Sequence, residues 1–173
     1  MKPLIVDLDH TLIHTDLLQK SALLLLKKNP FFIFIMPFWL IKGKGYLKDK
    51  ISQRITIDVS LLPYNQKVIK YIKNQPKERE IVLATASHKY YAKQVFDFLN
   101  LFDKLMASDK NFNLSSQNKA NKLIEIYGKG NFDYIGDHKR DIPVWLAGEV
   151  AIMVNVNKNV KNFIAKTKKI EEI

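Results

Sequence analysis

The chain has 173 residues, 47% of them hydrophobic and 11% aromatic, enough for one core of ordinary size and far from a disordered composition. It contains no cysteine, which excludes disulfides, zinc-thiolate sites and thiol nucleophiles and suits a reducing compartment. A formal net charge of +11 suits a nucleic acid, an anionic membrane surface or phosphorylated substrates, or reflects a lysine-rich composition alone. The lysines run from Lys2 to Lys169 without forming one arm. No recognition helix, zinc-finger spacing or aromatic RNA-binding signature accompanies them, so nucleic acid is disfavoured. The N-terminus opens on a strand and an acidic loop, not on a secretory signal.

In chain order, "PLIV" reads as a short buried strand that ends in two carboxylates, Asp7 and Asp9. "DLLQKSALLLLKK" reads as a helix capped by Thr15 or Asp16 and stopped at Asn29–Pro30. "FFIFIMPFWLI", residues 31–41, is apolar on every side, too short to span a bilayer and broken by Pro37. "GKG" at 43–45 ends it. "YLKDKISQRITI" and "LLPYNQKVIKYIKNQ" give a third and a fourth helical pattern. Residues 16–76 therefore read as a small all-α lobe inserted behind the first strand.

From Arg79 strands and helices alternate. "EIVLAT", "KLMAS", "FDYIG" and "VAIMVN" read as strands, and the segments between them as helices, one closed by Gly128. This pattern predicts an α/β fold, a Rossmann-like three-layer parallel sheet over residues 1–15 and 77–173. Ligands of such sheets bind beyond the carboxyl ends of the strands. The first strand brings Asp7 and Asp9 there, the second Thr85, and "FDYIG" Asp137 and Asp141, while Lys119 opens the preceding helix. Singly, Thr85, Asp137 and Asp141 read as helix caps and Lys119 as a solvated surface group. Together, each at a strand end, they read as one site.

In this order the motifs resemble those of the haloacid dehalogenase (HAD) superfamily of phosphohydrolases. "DLDHT" matches its first motif, Thr85 the second, Lys119 the third and "GDHKRD" the fourth. His10 is a departure, since many members carry glycine there. The resemblance implies a HAD fold and a Mg²⁺-dependent phosphatase, with Asp7 as nucleophile and Asp9 as general acid and base. It implies Mg²⁺ ligands at Asp7, the Asp9 carbonyl and Asp137. It gives Thr85 and Lys119 to the phosphoryl oxygens, and makes Asp141 the support for the metal shell or the lysine. Lys110 and Lys122 are the rivals of Lys119, which is preferred for its place in the first turn of its helix. Dehalogenases of the superfamily lack the second aspartate, so Asp9 favours a phosphatase.

The helical lobe stands where the family inserts a type 1 cap that selects the leaving group. Asp16 and Arg54 fall roughly where phosphoserine phosphatases bind substrate, while "AS", with Ser87, replaces their glycine pair. His10, Asp16, Arg54 and Ser87 are thus the candidate substrate-binding residues. "FWLIKGKGYLK", "LPYN", "LATASHKYYA", "FDKLMASD" and "FDYIGDHKRDIPVW" resemble phosphatase-like domains fused ahead of UbiA-type prenyltransferases. That resemblance implies a prenyl or glycosyl phosphate and a cytoplasmic location near the inner face of the membrane, beside a fused or partner transferase. The alternatives are a non-catalytic HAD-fold binding or regulatory module that positions a lipid phosphate, and a phosphoserine-phosphatase-like phosphatase of small metabolites. The apolar run at 31–41, bordered by Lys27, Lys28, Lys42 and Lys44, reads either as the lobe's own core or as a helix lying at an anionic membrane interface.

Overall fold

The computed structural model describes residues 1–173. Six strands, β1 (Leu4–Val6), β2 (Ile81–His88), β3 (Lys104–Ser108), β4 (Asp133–Gly136), β5 (Val150–Met153) and β6 (Lys169–Glu172), form one sheet. Its order is β3-β2-β1-β4-β5-β6, and every pairing is parallel. The chain places β2 on one side of β1 and β4 on the other, so the order of connection reverses between β1 and β4. A crevice opens at such a reversal, outside the carboxyl ends of the strands.

The two-residue period of the strands sorts their side chains between two apolar layers. Leu4, Val6, Leu83, Ile135 and Ile152 face one, while Ile5, Val82, Tyr134, Ala151 and Met153 face the other. On the second face lie α6 (Gln117–Tyr127), α7 (Ile142–Ala147) and α8 (Lys158–Ala165), through Ala120, Leu123, Trp145 and Ile164. On the first face lie α4 (Gln66–Lys73) and α5 (Lys89–Leu99), through Val68, Ile72, Tyr91 and Val95. This is the three-layer α/β fold that the strand–helix alternation predicts.

Between β1 and β2 come α1 (Leu17–Lys28), α2 (Phe32–Ile41) and α3 (Lys44–Ser52), which pack on one another. Asp16 caps α1 by accepting a hydrogen bond from the Gln19 amide at 2.8 Å. Leu17, Leu25, Ile51, Ile55 and Ile57 join the same apolar cluster as the first face of the sheet. These helices therefore share a core with the sheet.

Two expectations need correction. Pro37 does not break the third segment, because α2 runs through it from Phe32 to Ile41. Proline removes one helical hydrogen bond, and on the exposed side of a surface helix water can serve the freed carbonyl. The expected strands also fall one short. After β5 the chain forms α8 and adds β6, "KIEE", as an edge strand with no apolar run.

Candidate active site

The carboxyl ends of β1 and β4 build the cleft. After β1 the chain coils tightly: the Leu12 amide donates to the Leu8 carbonyl at 2.9 Å, and the Asn65 amide to the Leu12 carbonyl at 2.9 Å. His10 sits in this coil at φ +59°, a left-handed conformation that glycine adopts without cost. The coil carries Asp7 and Asp9 into the cleft and Thr11 against Asp137.

Asp7 is tied into the sheet side of the cleft. Its amide donates to the Ile135 carbonyl of β4 at 3.0 Å. Its Oδ1 accepts from Lys119 Nζ at 2.8 Å, and that lysine is almost fully buried. Lys119 Nζ also donates to the Tyr134 hydroxyl at 2.8 Å, which in turn donates to Asp141 Oδ1 at 2.8 Å. Burial, reinforced by the charges of Asp141 and Asp7, holds the Tyr134 hydroxyl proton far above its ordinary range, so it remains a donor. Asp141 closes the chain by accepting from the amides of Asp137 and His138 at 3.3 and 3.1 Å. Gly136 makes room for this arrangement. A β-carbon there would stand 2.8 Å from both Asp141 Oδ2 and the Tyr134 ring.

Asp137 accepts from the Thr11 hydroxyl at 3.0 Å. Carboxylate oxygens of Asp7, Asp137 and Asp141 lie within 4.8 Å of one another. Crowding of this kind disfavours the charged forms. Burial first, then the neighbouring charges of Asp141 and Asp7, push Asp137 up to about 7. Burial pushes Asp7 up to about 6 against the opposing pull of Lys119. Three hard oxygen donors with unfavourable charge are the chemistry a divalent cation such as Mg²⁺ relieves. Asp141 already spends its oxygens on Tyr134 and two amides, which leaves Asp7 and Asp137 as the better ligands.

Asp9 faces the other wall. Its Oδ1 accepts from the Leu17 amide in the first turn of α1 at 2.9 Å, and its Oδ2 from the Ser87 hydroxyl at 2.6 Å. No cation is hydrogen-bonded to it, although Lys48 feels its charge. Burial and then the charge of Asp16 push Asp9 up to about 7, while the Ser87 and Leu17 donors pull the other way. Lys48 of α3 braces this wall. Its almost fully buried ammonium donates to the Ala86 carbonyl at 2.5 Å and to Asn113 Oδ1 at 2.9 Å. Burial lowers its proton affinity.

The cleft encloses about 260 Å³ and has Ala86 as the one hydrophobic residue among its thirteen lining residues. Asp7, Asp9, Lys119, Asp137, Asp141, His10 and Asp16 all line it. Thr85 does not. It is fully buried, and its hydroxyl accepts from the Ser87 amide at 2.9 Å, so it shapes the irregular end of β2 that presents Ser87 to Asp9. Arg54 lies elsewhere: its guanidinium rests over the rings of Trp39 and Phe32, 5.0 and 5.8 Å from their centres. The rival lysines are also accounted for on the surface. Lys122 pairs with Glu125, and Lys110 lies over the Tyr46 ring.

Sequence reasoning missed Tyr134, Thr11, Gln19, Ser115, Ser116 and Arg140. Arg140, one residue before Asp141, supplies the cleft's exposed guanidinium in place of Arg54. Tyr134 could have been found, because the strand period turns it toward the helix that carries Lys119. Ser116 carries no signal of its left-handed backbone, φ +49°.

A parallel sheet in this order, with paired aspartates after β1, a lysine from α6 and aspartates after β4, defines a HAD-fold hydrolase. Residues 2–142 match the family of NLI interacting factor-like phosphatases, and the chain belongs to that family. It is 32% identical over 154 residues to the uncharacterized protein y4nM of Sinorhizobium fredii, covering 88% of this chain and 30% of that one. The chain thus spans less than a third of that relative's length. Among solved structures it is similar to a protein of unknown function from Bordetella pertussis Tohama I, with a TM-score of 0.71 at 13% identity over 98% and 97% of the two chains. It is similar also to a phosphoserine phosphatase in its apo form, with a TM-score of 0.60 at 15% identity over 97% and 99%. A HAD family hydrolase of Salmonella enterica serovar Typhi gives 0.61 at 15% identity over 99% of this chain and 68% of that one. These likenesses are of fold.

Proposed function

We propose that the chain is a Mg²⁺-dependent phosphomonoester phosphatase working through an aspartyl-phosphate on Asp7, with Asp9 as general acid and base. The observation that carries this reading is the unequal environment of the two carboxylates. Asp7 is paired with Lys119 and loses its proton more readily. Asp9, whose direct donors are the neutral Ser87 hydroxyl and Leu17 amide, is pushed up to about 7. In the first step an Asp7 oxygen bonds to phosphorus, the ester P–O bond breaks, and Asp9 gives its proton to the leaving oxygen. In the second, Asp9 takes a proton from a water whose oxygen bonds to phosphorus, and the Asp7–phosphorus bond breaks to release phosphate. Lys119 offsets negative charge beside Asp7 throughout, and the Tyr134 hydroxyl fixes its ammonium. Asp7, Asp137 and the Asp9 carbonyl would hold Mg²⁺, whose charge favours an otherwise repulsive meeting of carboxylate and phosphate.

The substrate class we infer is a prenyl or glycosyl phosphate. Its support is the resemblance of the sequence motifs to domains fused ahead of UbiA-type transferases. The polar lining suits a phosphate and its polar neighbours and offers nothing to a prenyl tail, which would stay outside. Serine phosphate is less favoured, since Arg54 stands away from the cleft.

The test is hydrolysis of a generic aryl phosphate, expected with Mg²⁺ and abolished by EDTA. A panel of sugar phosphates, phosphoserine and short prenyl phosphates then ranks substrates. Metal-replete protein inert toward the whole panel would leave the chain a binding module.

A further inference from the structure

The fold leaves one helix uncovered. In α2 the half-buried residues are Phe32, Ile35, Met36 and Trp39, a stripe at helical spacing, and Phe32, Met36 and Trp39 pack onto the main core. The opposite stripe is apolar too. Ile33, Phe34, Phe38 and Ile41 are 55%, 67%, 68% and 82% exposed, and Phe31 at the start of the helix is 62% exposed. No residue of α2 is buried. The reading of this run as the lobe's own core therefore accounts for one side of the helix only. A contiguous apolar surface of this kind marks an interaction site.

Charge says what covers it. Between Asp16 and Asp49 the sequence holds six lysines and no acidic residue. Lys27 and Lys28 end α1 just before α2, and Lys42 and Lys44 follow it; all four are exposed and none joins an ion pair with an acid. Arg54, with its flat face over Phe32 and Trp39, adds a further cation at the edge. A second copy of this chain would bring the same cationic rim against itself, which like-charge repulsion opposes. An anionic bilayer surface answers both features, since aromatic and aliphatic side chains enter the headgroup boundary while lysines pair with lipid phosphates. At ten residues α2 is about 15 Å long, half the thickness of a bilayer core, so it can lie in the interface and cannot cross.

We propose that the exposed face of α2, with Lys27, Lys28, Lys42 and Lys44, docks the protein onto an anionic membrane surface. The site is separate from the cleft: α1 carries Asp16 and Gln19 to the cleft at its start and delivers α2 at its end, twelve residues or about 18 Å on. Docking fixes where the enzyme works and is independent of its chemistry.

Co-sedimentation of the full chain with phosphatidylglycerol-containing and with pure phosphatidylcholine vesicles tests this at low salt. Binding is expected to the anionic vesicles alone and to weaken as salt rises. Phe34→Asp with Phe38→Asp, both at exposed positions, abolishes it without changing the circular dichroism spectrum or the hydrolysis of a soluble aryl phosphate. Replacing the four lysines by glutamine, at about fivefold per lysine, lowers binding some hundreds-fold. Three results overturn the proposal: no binding to anionic vesicles, equal binding to both vesicle types, or a self-association that the two aspartates remove while no vesicle binding is seen.

Discussion

Asp7 and Asp9 stand two residues apart on one coil, yet the two walls of the cleft treat them differently. The wall around Asp7 is made of charge: Lys119 binds it, Tyr134 links that lysine to Asp141, and Asp137 lies alongside. On the Asp9 wall the groups that donate to the carboxylate are neutral, a serine hydroxyl and a helix-start amide, while the Lys48 ammonium is spent on Ala86 and Asn113. Neutral donors orient a carboxylate and temper its burial, but they do not supply the opposite charge that would keep it ionised. One wall thus suits a group that must be negative when it attacks. The other suits a group that must carry a proton and then give it up.

The largest break in this comparison is Asp7→Asn, which removes the nucleophile. Turnover is expected to vanish, and intact mass after mixing with substrate should show no phosphorylated protein. Measurable turnover would move the nucleophile elsewhere.

Next comes Asp9→Asn, which keeps the hydrogen-bonding shape and loses the proton relay. Alkyl phosphate hydrolysis should fall by roughly 10² to 10⁴. An aryl phosphate with an acidic phenol should lose less in the first step, and phosphorylated Asp7 should accumulate for want of a base in the second. Near-normal rates on an alkyl phosphate would leave Asp9 a structural role only.

Tyr134→Phe sharpens the charged wall. It cuts the link between Lys119 and Asp141 and leaves Asp7 and Asp9 in place. A loss of roughly 10- to 100-fold in activity or apparent Mg²⁺ affinity is expected, partly recovered by excess Mg²⁺. A titration of rate against Mg²⁺ concentration measures it.

The smallest effect is on stability. Asp7, Asp9 and Asp137 are pushed up from 3.8 to about 6, 7 and 7, so between these limits the folded chain binds more protons than the unfolded one. Stability then falls as pH rises through that window, the opposite of a salt-bridged carboxylate. Without metal, the contribution of these three groups to the thermal midpoint should decline from pH 5 to pH 8. Asp137→Asn should flatten the decline, and Mg²⁺ should raise the midpoint more at pH 8 than at pH 5. Parallel profiles for wild type and Asp137→Asn would refute the crowding of the charged wall.

The sequence made the two walls legible to different degrees. Asp7, Asp9 and Asp137 could be found because an apolar run that stops at a carboxylate shows both the strand and its end. Lys119 could be chosen among three lysines because a helix start beside strand ends has one direction in an α/β sheet. Tyr134 is harder to see, since a tyrosine inside "FDYIG" satisfies the strand pattern without any polar role, and only its turn toward the helix of Lys119 hints at one. Arg54 was placed by analogy of spacing, and spacing along a lobe of short helices does not fix direction; packing against Phe32 and Trp39 turned it to the surface. Strand β6 was invisible because "KIEE" has no apolar run, and its place depends on pairing with β5. The helix through Pro37 was hidden for a similar reason: a local rule against proline yields where the freed carbonyl meets water.

The seating of α3 sets a limit on how this chain can vary over generations. Gly45 lies so close to the loop after β3 that a β-carbon there would stand 2.7 and 2.8 Å from the backbone carbonyl oxygens of Asp109 and Lys110. Backbone cannot swing aside as a long side chain can, so even alanine, ordinarily the better residue inside a helix, would have to lift α3. Lys48 sits one turn further along the same helix, and the shallow seat lets its ammonium reach Ala86 and Asn113. Among descendants of this sequence, the position without a side chain should therefore drift as little as the aspartates, although it touches neither phosphate nor metal. The outer face of α2 can exchange one large apolar residue for another freely.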